Sequence, residues 1–451
     1  MAHLEPRATT VPAPYVASPS DQWDEWDGSW STFLINVGTP PQEFRVIIST
    51  AGGEAWVPHP QGCTSSDPDD CPELRGVNPF DGAASAGFQD DQSSTWDAIG
   101  LYSLDLEERL GFSGNGSWGL DRVALGSSQA DDQLELDSQL VALIADKDYF
   151  MGQFGVGIQP TSFSNTAEPI HAFIWNLKNQ TKIPSLSFSY TAGAPYRLTK
   201  VPGNLVLGGY DSTRFEPSDV TFSFAEDDAQ ALTVGVQSIT TSDSLMGVAS
   251  LTSASQGYLS YIDSTTSHVW LPREVCDTFE DLFGLTYDED TDLYLVNDTM
   301  HEQLLDMNPT LTFKLGTSAF TQTTNTTNIV LPYAAFDLQV GYPAYSDKRN
   351  YFPIRRGAND TQYALGRAFL QEAYLIVDYE RGNFTVAQAS FPDSGMPDPE
   401  VVTIRSPDDE DDDAADGSGS GISTGAIAGI AVAAAVLLIA ALAAFIWWKR
   451  R

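Results

Sequence analysis

The sequence predicts a mostly β chain arranged as two lobes around one shared central site, and three observations carry that reading. At 451 residues the chain exceeds what a single core usually supports, so it needs several domains or one large two-lobed fold. Its composition, 42% hydrophobic and 11% aromatic with 36 Gly and 26 Pro, suits short strands and many turns rather than a helical bundle. The third observation is an internal repeat. Ile48-Ser49-Thr50-Ala51-Gly52-Gly53-Glu54-Ala55-Trp56-Val57-Pro58 stands at a constant offset of 214 from Ile262-Asp263-Ser264-Thr265-Thr266-Ser267-His268-Val269-Trp270-Leu271-Pro272, with Ile, Trp and Pro coinciding. Each copy reads as an apolar strand, a turn of small and hydroxyl residues, and a second strand closed by Pro. Phe154-Gly155 follows the first copy and Leu365-Gly366 the second, each roughly a hundred residues on.

Taken in order, residues 1–29 contain no apolar stretch of secretory-signal length and read as an N-terminal extension. Residues 30–215 form the expected first β lobe. Within it Cys63 and Cys71 flank a polar loop and can close a small disulfide ring in an oxidising compartment. One helical face is expected from Ile170, Phe173, Ile174 and Leu177. Residues 216–391 form the second β lobe, with another helical face from Val275, Phe279, Leu282 and Phe283, capped by Gly284. Cys276 on that helix reads as a buried thiol.

Residues 392–421, with their acidic run Asp408 to Asp413 and Gly-Ser end, read as a stalk that self-repelling charge extends. Residues 422–448 are expected to be a transmembrane helix. Gly425 to Trp448 is 24 residues without a charge, and as a helix it would extend about 36 Å, enough for a hydrocarbon core of about 30 Å. Residues 449–451, Lys-Arg-Arg, make a short basic tail that stays cytoplasmic by the positive-inside rule, leaving the large domain outside the cytosol at a cell surface or in a secretory or vacuolar compartment. A removable lipid-anchor signal, suggested by the small residues Gly417 to Gly421, is the competing reading. Six Asn-x-Ser/Thr sites, at Asn115, Asn179, Asn297, Asn325, Asn359 and Asn383, favour export of a glycoprotein. The lack of a signal-length stretch conflicts with export, so either a signal-bearing segment precedes Met1 or the protein is tail-anchored with its bulk in the cytosol.

Charge narrows the partners. Against 61 Asp+Glu stand 23 Lys+Arg, and a net charge of -38 repels phosphate backbones, so nucleic acid is not expected. The five His are scattered and no Cys/His cluster has zinc spacing, so neither a metal nor another cofactor is expected. The expected partners are a peptide or protein ligand and, through the C-terminal helix, a lipid bilayer, with the chain a monomer.

Ser31 to Pro58, including the turn Gly38-Thr39-Pro40-Pro41-Gln42, resembles the opening of the pepsin-like aspartic peptidases. Leu205 to Asp211 is similar to that family's late first-lobe motif, and Ala364 to Leu370 with Ile376-Val377-Asp378 to its C-terminal one. The resemblance covers approximately Trp30 to Phe391. It implies a bilobed acid protease fold with a central peptide-binding cleft, and an activity in which each lobe's turn supplies one Asp. Two carboxylates are needed because one acts as base on a water while the other acts as acid on the substrate carbonyl.

Asp263 occupies the second-lobe position, but Ser49 stands where the first Asp belongs, and a serine hydroxyl does not ionise at acid or neutral pH. By the same resemblance Thr50 and Ser264 brace the two turns, and Thr266 steadies the carboxylate. Leu110 to Gly116 matches the flap hairpin, with Phe112 where the family has Tyr. Losing one member of an acid/base pair costs typically 10²–10⁴ in rate, or about 3–5 kcal/mol of barrier. The sequence therefore reads as a catalytically impaired homologue. An active endopeptidase that pairs Asp263 with another group, Glu54 being the candidate, is the first alternative, and a structural surface protein the second. His268 reads as a packed strand residue.

Overall fold

A computed structural model describes residues 11–409, apart from 25, 131–132, 253–256 and 321–324. The two expected β lobes are present, each built on an eight-stranded sheet. In the first lobe the hairpin Trp30–Val37 to Gln42–Ser49 pairs Phe33 with Val46 and Val37 with Gln42. Gly38 makes the tight turn between them at a φ of 92°, a conformation that favours a residue without Cβ. Both strands are almost wholly buried because the sheet is covered on two faces.

The sequence repeat is a structural repeat. Gly152–Gly155 lies between the arms of the first turn, parallel to Gln42–Ser49 and antiparallel to Ala55–Pro58. Ala364–Leu365 does the same for the second turn, parallel to Tyr258–Ile262 and antiparallel to Val269–Pro272. The glycine that ends the first inserted strand and the one that follows the second are packing requirements. A Cβ on Gly155 would lie 2.3 Å from the carbonyl oxygen of Gly52, and one on Gly366 2.3 Å from that of His268.

A six-stranded sheet joins the halves. Its centre pairs Ser187–Ala194 of the first half with Ala373–Asp378 of the second, and one apolar core runs continuously from Phe33 and Phe188 to Phe313 and Val386. Burying each of these large side chains contributes about 1.5–3 kcal/mol, which fixes the lobes against one another. The disulfide Cys63–Cys71 is formed, and Cys276 is free and buried. Asp67, inside the disulfide loop, accepts from Lys147 Nζ at 2.8 Å and from the Tyr342 hydroxyl of the second half at 2.6 Å. These two donors hold its carboxyl below the usual range.

The expected helical faces are buried, with shorter bounds than the first periodicity suggests. Phe173–Asn179 buries Phe173, Ile174 and Leu177, whereas Ile170 precedes the helix and bridges to Thr161. Arg273–Phe283 buries Val275, Phe279, Leu282 and Phe283 and ends on Gly284 in the left-handed conformation.

Two boundaries shift. The N-terminal extension supplies strands Tyr15–Ala17, on the six-stranded sheet against Val201–Leu207, and Pro19–Asp24, against Trp30–Val37. At the other end Val401–Thr403, expected in the stalk, pairs with Gly209–Asp211. The chain divides after Ser406, where the first of two units ends. No helix among the described residues is long and apolar enough to cross a membrane. The expected span 422–448, the acidic run beyond Asp409 and the tail 449–451 lie outside the described residues.

Candidate active site

The two turns meet back to back. Thr50 N donates to Ser264 Oγ at 3.0 Å, and Ser264 N donates to Thr50 Oγ1 at 2.9 Å, so each hydroxyl caps the opposite turn. Ser264 Oγ donates in turn to the carbonyl of Ile48 at 2.6 Å. Both residues are buried, so these reciprocal bonds satisfy backbone groups that water does not reach. These are the two residues to which the resemblance assigned the brace.

Asp263 is 1% exposed. Its Oδ1 accepts from Thr265 N at 2.8 Å and from Thr50 Oγ1 at 3.4 Å. Thr266 does not steady the carboxylate, contrary to expectation. Its hydroxyl faces His268 N and Trp270 Nε1, at 3.4 and 3.3 Å, because the turn rotates that side chain under the outgoing strand. The steadying residue is its neighbour Thr265. Beneath the turn Arg367 donates to the carbonyls of Ser264 and Thr265 at 2.8 and 2.9 Å and places a positive charge near Asp263.

Ser49 sits at the end of its strand in the position that mirrors Asp263, fully buried. Its Oγ lies 2.7 Å from Thr265 Oγ1 and accepts from Gly52 N at 2.8 Å. A hydroxyl thus spans the two turns where the family places a carboxylate. It carries no charge to share a proton with Asp263.

The carboxyl that does reach Asp263 is Glu107, which was not singled out in the sequence. The hairpin Asp97–Ser103 to Asn115–Leu125 carries a long loop, residues 104–114, that folds across the site onto the second lobe. Leu110 is its apolar anchor, buried against Tyr261, Trp270 and Ala364. The Gln362 amide donates to the Arg109 carbonyl, and the Arg109 guanidinium lies 5.3 Å over the Tyr261 ring and donates to the Ala229 carbonyl. Glu107 adopts a left-handed φ of 55°, a strained conformation held by these contacts. Glu107 is 4% exposed, and its carboxyl accepts from the Tyr261 hydroxyl at 2.8 Å.

Glu107 stands against Asp263, whose Oδ2 is buried without a hydrogen-bond partner among the described residues. Two carboxyls bond to each other only when one carries a proton. Burial first, and then the Asp263 charge, push the Glu107 carboxyl well above the usual range, while burial raises Asp263 and the contacts with Thr265, Glu107 and Arg367 moderate it. The pair holds a proton at a pH where exposed acids have lost theirs.

Glu54 is not the second carboxyl. It lies in the first turn just before its outgoing strand, accepts from Gly53 N at 3.1 Å and is bonded by Thr161, and it lines a different cavity, about 340 Å³, with Trp56, Tyr102, Leu106, Trp118 and Phe163. A second cavity, about 150 Å³, opens beside Asp263 between Thr50, Ile158, Phe224, Leu232 and Tyr379. Phe112 lies in the flap loop, half-buried, its ring 5.9 Å from that of Tyr149. The Trp56 indole N–H is buried without a hydrogen-bond partner among the described residues.

His268 is a packed residue. Its Nδ1 lies 3.0 Å from Ser267 Oγ, which donates to Asp27, but all three are buried, and burial drives the imidazole well below its ordinary value. This triad-like grouping is closed to substrate. Of the candidate glycan acceptors Asn115, Asn179, Asn297, Asn325 and Asn359 are exposed and Asn383 is half-buried in a strand. The side chain of Asn297 caps the helix Asp298–Met307 by accepting from Met300 N. No group of three or more His, Cys, Asp or Glu among the described residues could hold a metal ion.

The eukaryotic aspartyl protease family model matches residues 32–390. An acid protease of Saccharomycopsis fibuligera is 23% identical over 376 residues, covering 81% of this chain and 83% of that protein. Pepsin B of Canis lupus familiaris is 23% identical over 352 residues, covering 76% of this chain and 77% of that one. Among solved structures, the aspartic proteinase from Irpex lacteus superposes with a TM-score of 0.54 at 15% identity, over 85% of this chain and 100% of the other, a likeness of fold. With two lobes, two mutually braced turns and a family match across both, the chain belongs to the eukaryotic aspartyl protease family.

Proposed function

We propose that this protein is a membrane-anchored member of the family that is impaired in peptide hydrolysis and uses its cleft to bind a peptide or protein. The observation that carries the reading is the environment of Ser49: its hydroxyl is committed to Thr265 and Gly52, and no carboxylate stands at its position. Asp263 therefore has no acid at the mirrored turn position with which to hold and activate a water. The cavities on either side of the first turn, one beside Asp263 and one beside Glu54, are what a bound chain would fill. Anchoring rests on the uncharged run Gly425 to Trp448 and its basic end, with the folded domain outside the cytosol, monomeric and glycosylated.

A second reading is favoured by one contact. Glu107 touches Asp263, so acid hydrolysis by this pair is the form that an active enzyme would take, in place of a pair with Glu54. The position of Glu107 argues against it. A peptide entering between flap and turn must push this carboxyl away from Asp263, which parts the pair when substrate arrives.

Calorimetric titration of the full-length protein with a statine-containing peptide, beside Asp263→Ala, tests the binding reading. Saturable binding weakened by Asp263→Ala is expected. Failure to bind that peptide and a library of extended peptides at any pH from about 3 to about 7 would leave a purely structural surface role.

A further inference from the structure

We infer that Glu107 is a built-in occupant of the site: its carboxyl, sharing one proton with Asp263, holds the flap loop shut at acid pH and releases it as both acids ionise. The geometry supplies the closed state. Glu107 is almost fully buried in a loop that crosses to the second lobe, and Arg109, bonded by Gln362, and Leu110 fasten that loop just after it. Asp263 Oδ2 is buried without a hydrogen-bond partner among the described residues, and Glu107, bonded by the Tyr261 hydroxyl, is the flap carboxyl beside it. While the proton is shared, the path above Asp263 is filled by the protein's own side chain.

The charged and titratable groups around the pair decide what happens when the proton leaves to solvent. Tyr261 faces Glu107 from the second lobe and stays neutral because burial raises its hydroxyl. Tyr149, bonded to the Leu104 and Leu106 carbonyls, is raised likewise, and Glu108 is the neighbouring acid in the loop. Arg109 Nε stands 4.0 Å from Glu107, and Arg367 lies on the Asp263 side. Arg109 is partly exposed, so its charge is screened and does not neutralise two adjacent carboxylates. Two buried negative charges then repel across the contact that previously bound, and the flap is the element free to move. Both acids have folded-state values raised above the usual carboxylate range, so closure weakens as pH rises from that range through the raised values. The consequence for ligands rests on the peptide-binding reading: the cleft would admit a peptide more readily at higher pH, opposite to an acid peptidase.

Hydrogen–deuterium exchange of segment 104–114 in the full-length protein, corrected for the intrinsic pH dependence of exchange, tests the closing role without any ligand. Protection is expected to fall about tenfold or more between about pH 4 and about pH 7 in the native chain. Glu107→Gln keeps a neutral donor for Asp263 and should stay protected at both pH values. Glu107→Ala should be poorly protected at both, with Val201–Leu207 unchanged as the control for folding. Equal native protection at both pH values, or a Glu107→Gln variant as pH-sensitive as the native chain, overturns the inference. Binding of the statine-containing peptide is read separately. If it fails in every variant while the flap responds to pH as expected, the peptide-binding reading falls and the closing role of Glu107 stands.

Discussion

Thr50 and Ser264 each hold the other's turn, through backbone-to-hydroxyl bonds of 3.0 and 2.9 Å that cross between lobes 214 residues apart in sequence. The scaffold around the reaction centre is therefore kept although one of its two acids is absent. Ser264→Ala leaves Thr50 N and the Ile48 carbonyl without their side-chain partner in a buried place. The expected loss is about 1–3 kcal/mol per unsatisfied group, read as a lower urea midpoint with unchanged slope. An unaltered midpoint would mean that the brace is dispensable.

Stability should decline from mildly acid toward neutral pH. Burial raises Glu54, Glu107, Asp263 and Glu372, so the folded chain holds protons more tightly than the unfolded one. A raised folded-state value contributes stability that is complete below the unfolded pKa, an ordinary 4.5 for Glu, and is lost as pH climbs through the raised value. The net charge of -38 acts in the same direction by self-repulsion at neutral pH. Asp67, held low by Lys147 and Tyr342, opposes this, but its ion pair with the partly exposed Lys147 is screened. Thermal midpoints at about pH 4 and about pH 7 give the comparison, and a higher midpoint at the neutral value would contradict the sign.

The domain ends are testable by truncation. A fragment covering 31–391 loses Tyr15–Ala17 and Val401–Thr403 from their sheets, together with the buried Trp30. Removing one large buried aromatic alone costs about 3–5 kcal/mol, so this fragment should be less stable than one covering 11–406 by at least about 3 kcal/mol. Equal urea midpoints would show that the terminal strands are ornaments on an independent core.

These ends were illegible in the sequence for a physical reason. Each strand is three residues long and owes its existence to a partner some two hundred positions away, which local periodicity does not register. The repeated turns were legible because Ile, Trp and Pro recur at one offset, and so were the Cys63–Cys71 ring and the helix ending on Gly284. Glu107 was hidden in Glu107-Glu108-Arg109, which has the composition of a solvated loop, and its burial arises only when Leu110 crosses to Tyr261. The exchange of Thr265 for Thr266 has a smaller cause. Which of two adjacent hydroxyls turns toward a carboxylate is set by the turn's backbone, not by residue type.

The central claim is that Asp263 lacks a working partner. Turnover of a peptide library by the full-length native protein, from about pH 3 to about pH 7 beside its Asp263→Ala variant, tests it most directly. The two proteins should be indistinguishable, with no cleavage above background in either. Native cleavage that Asp263→Ala abolishes would contradict the claim, and would make Glu107 the first residue to examine as the missing acid.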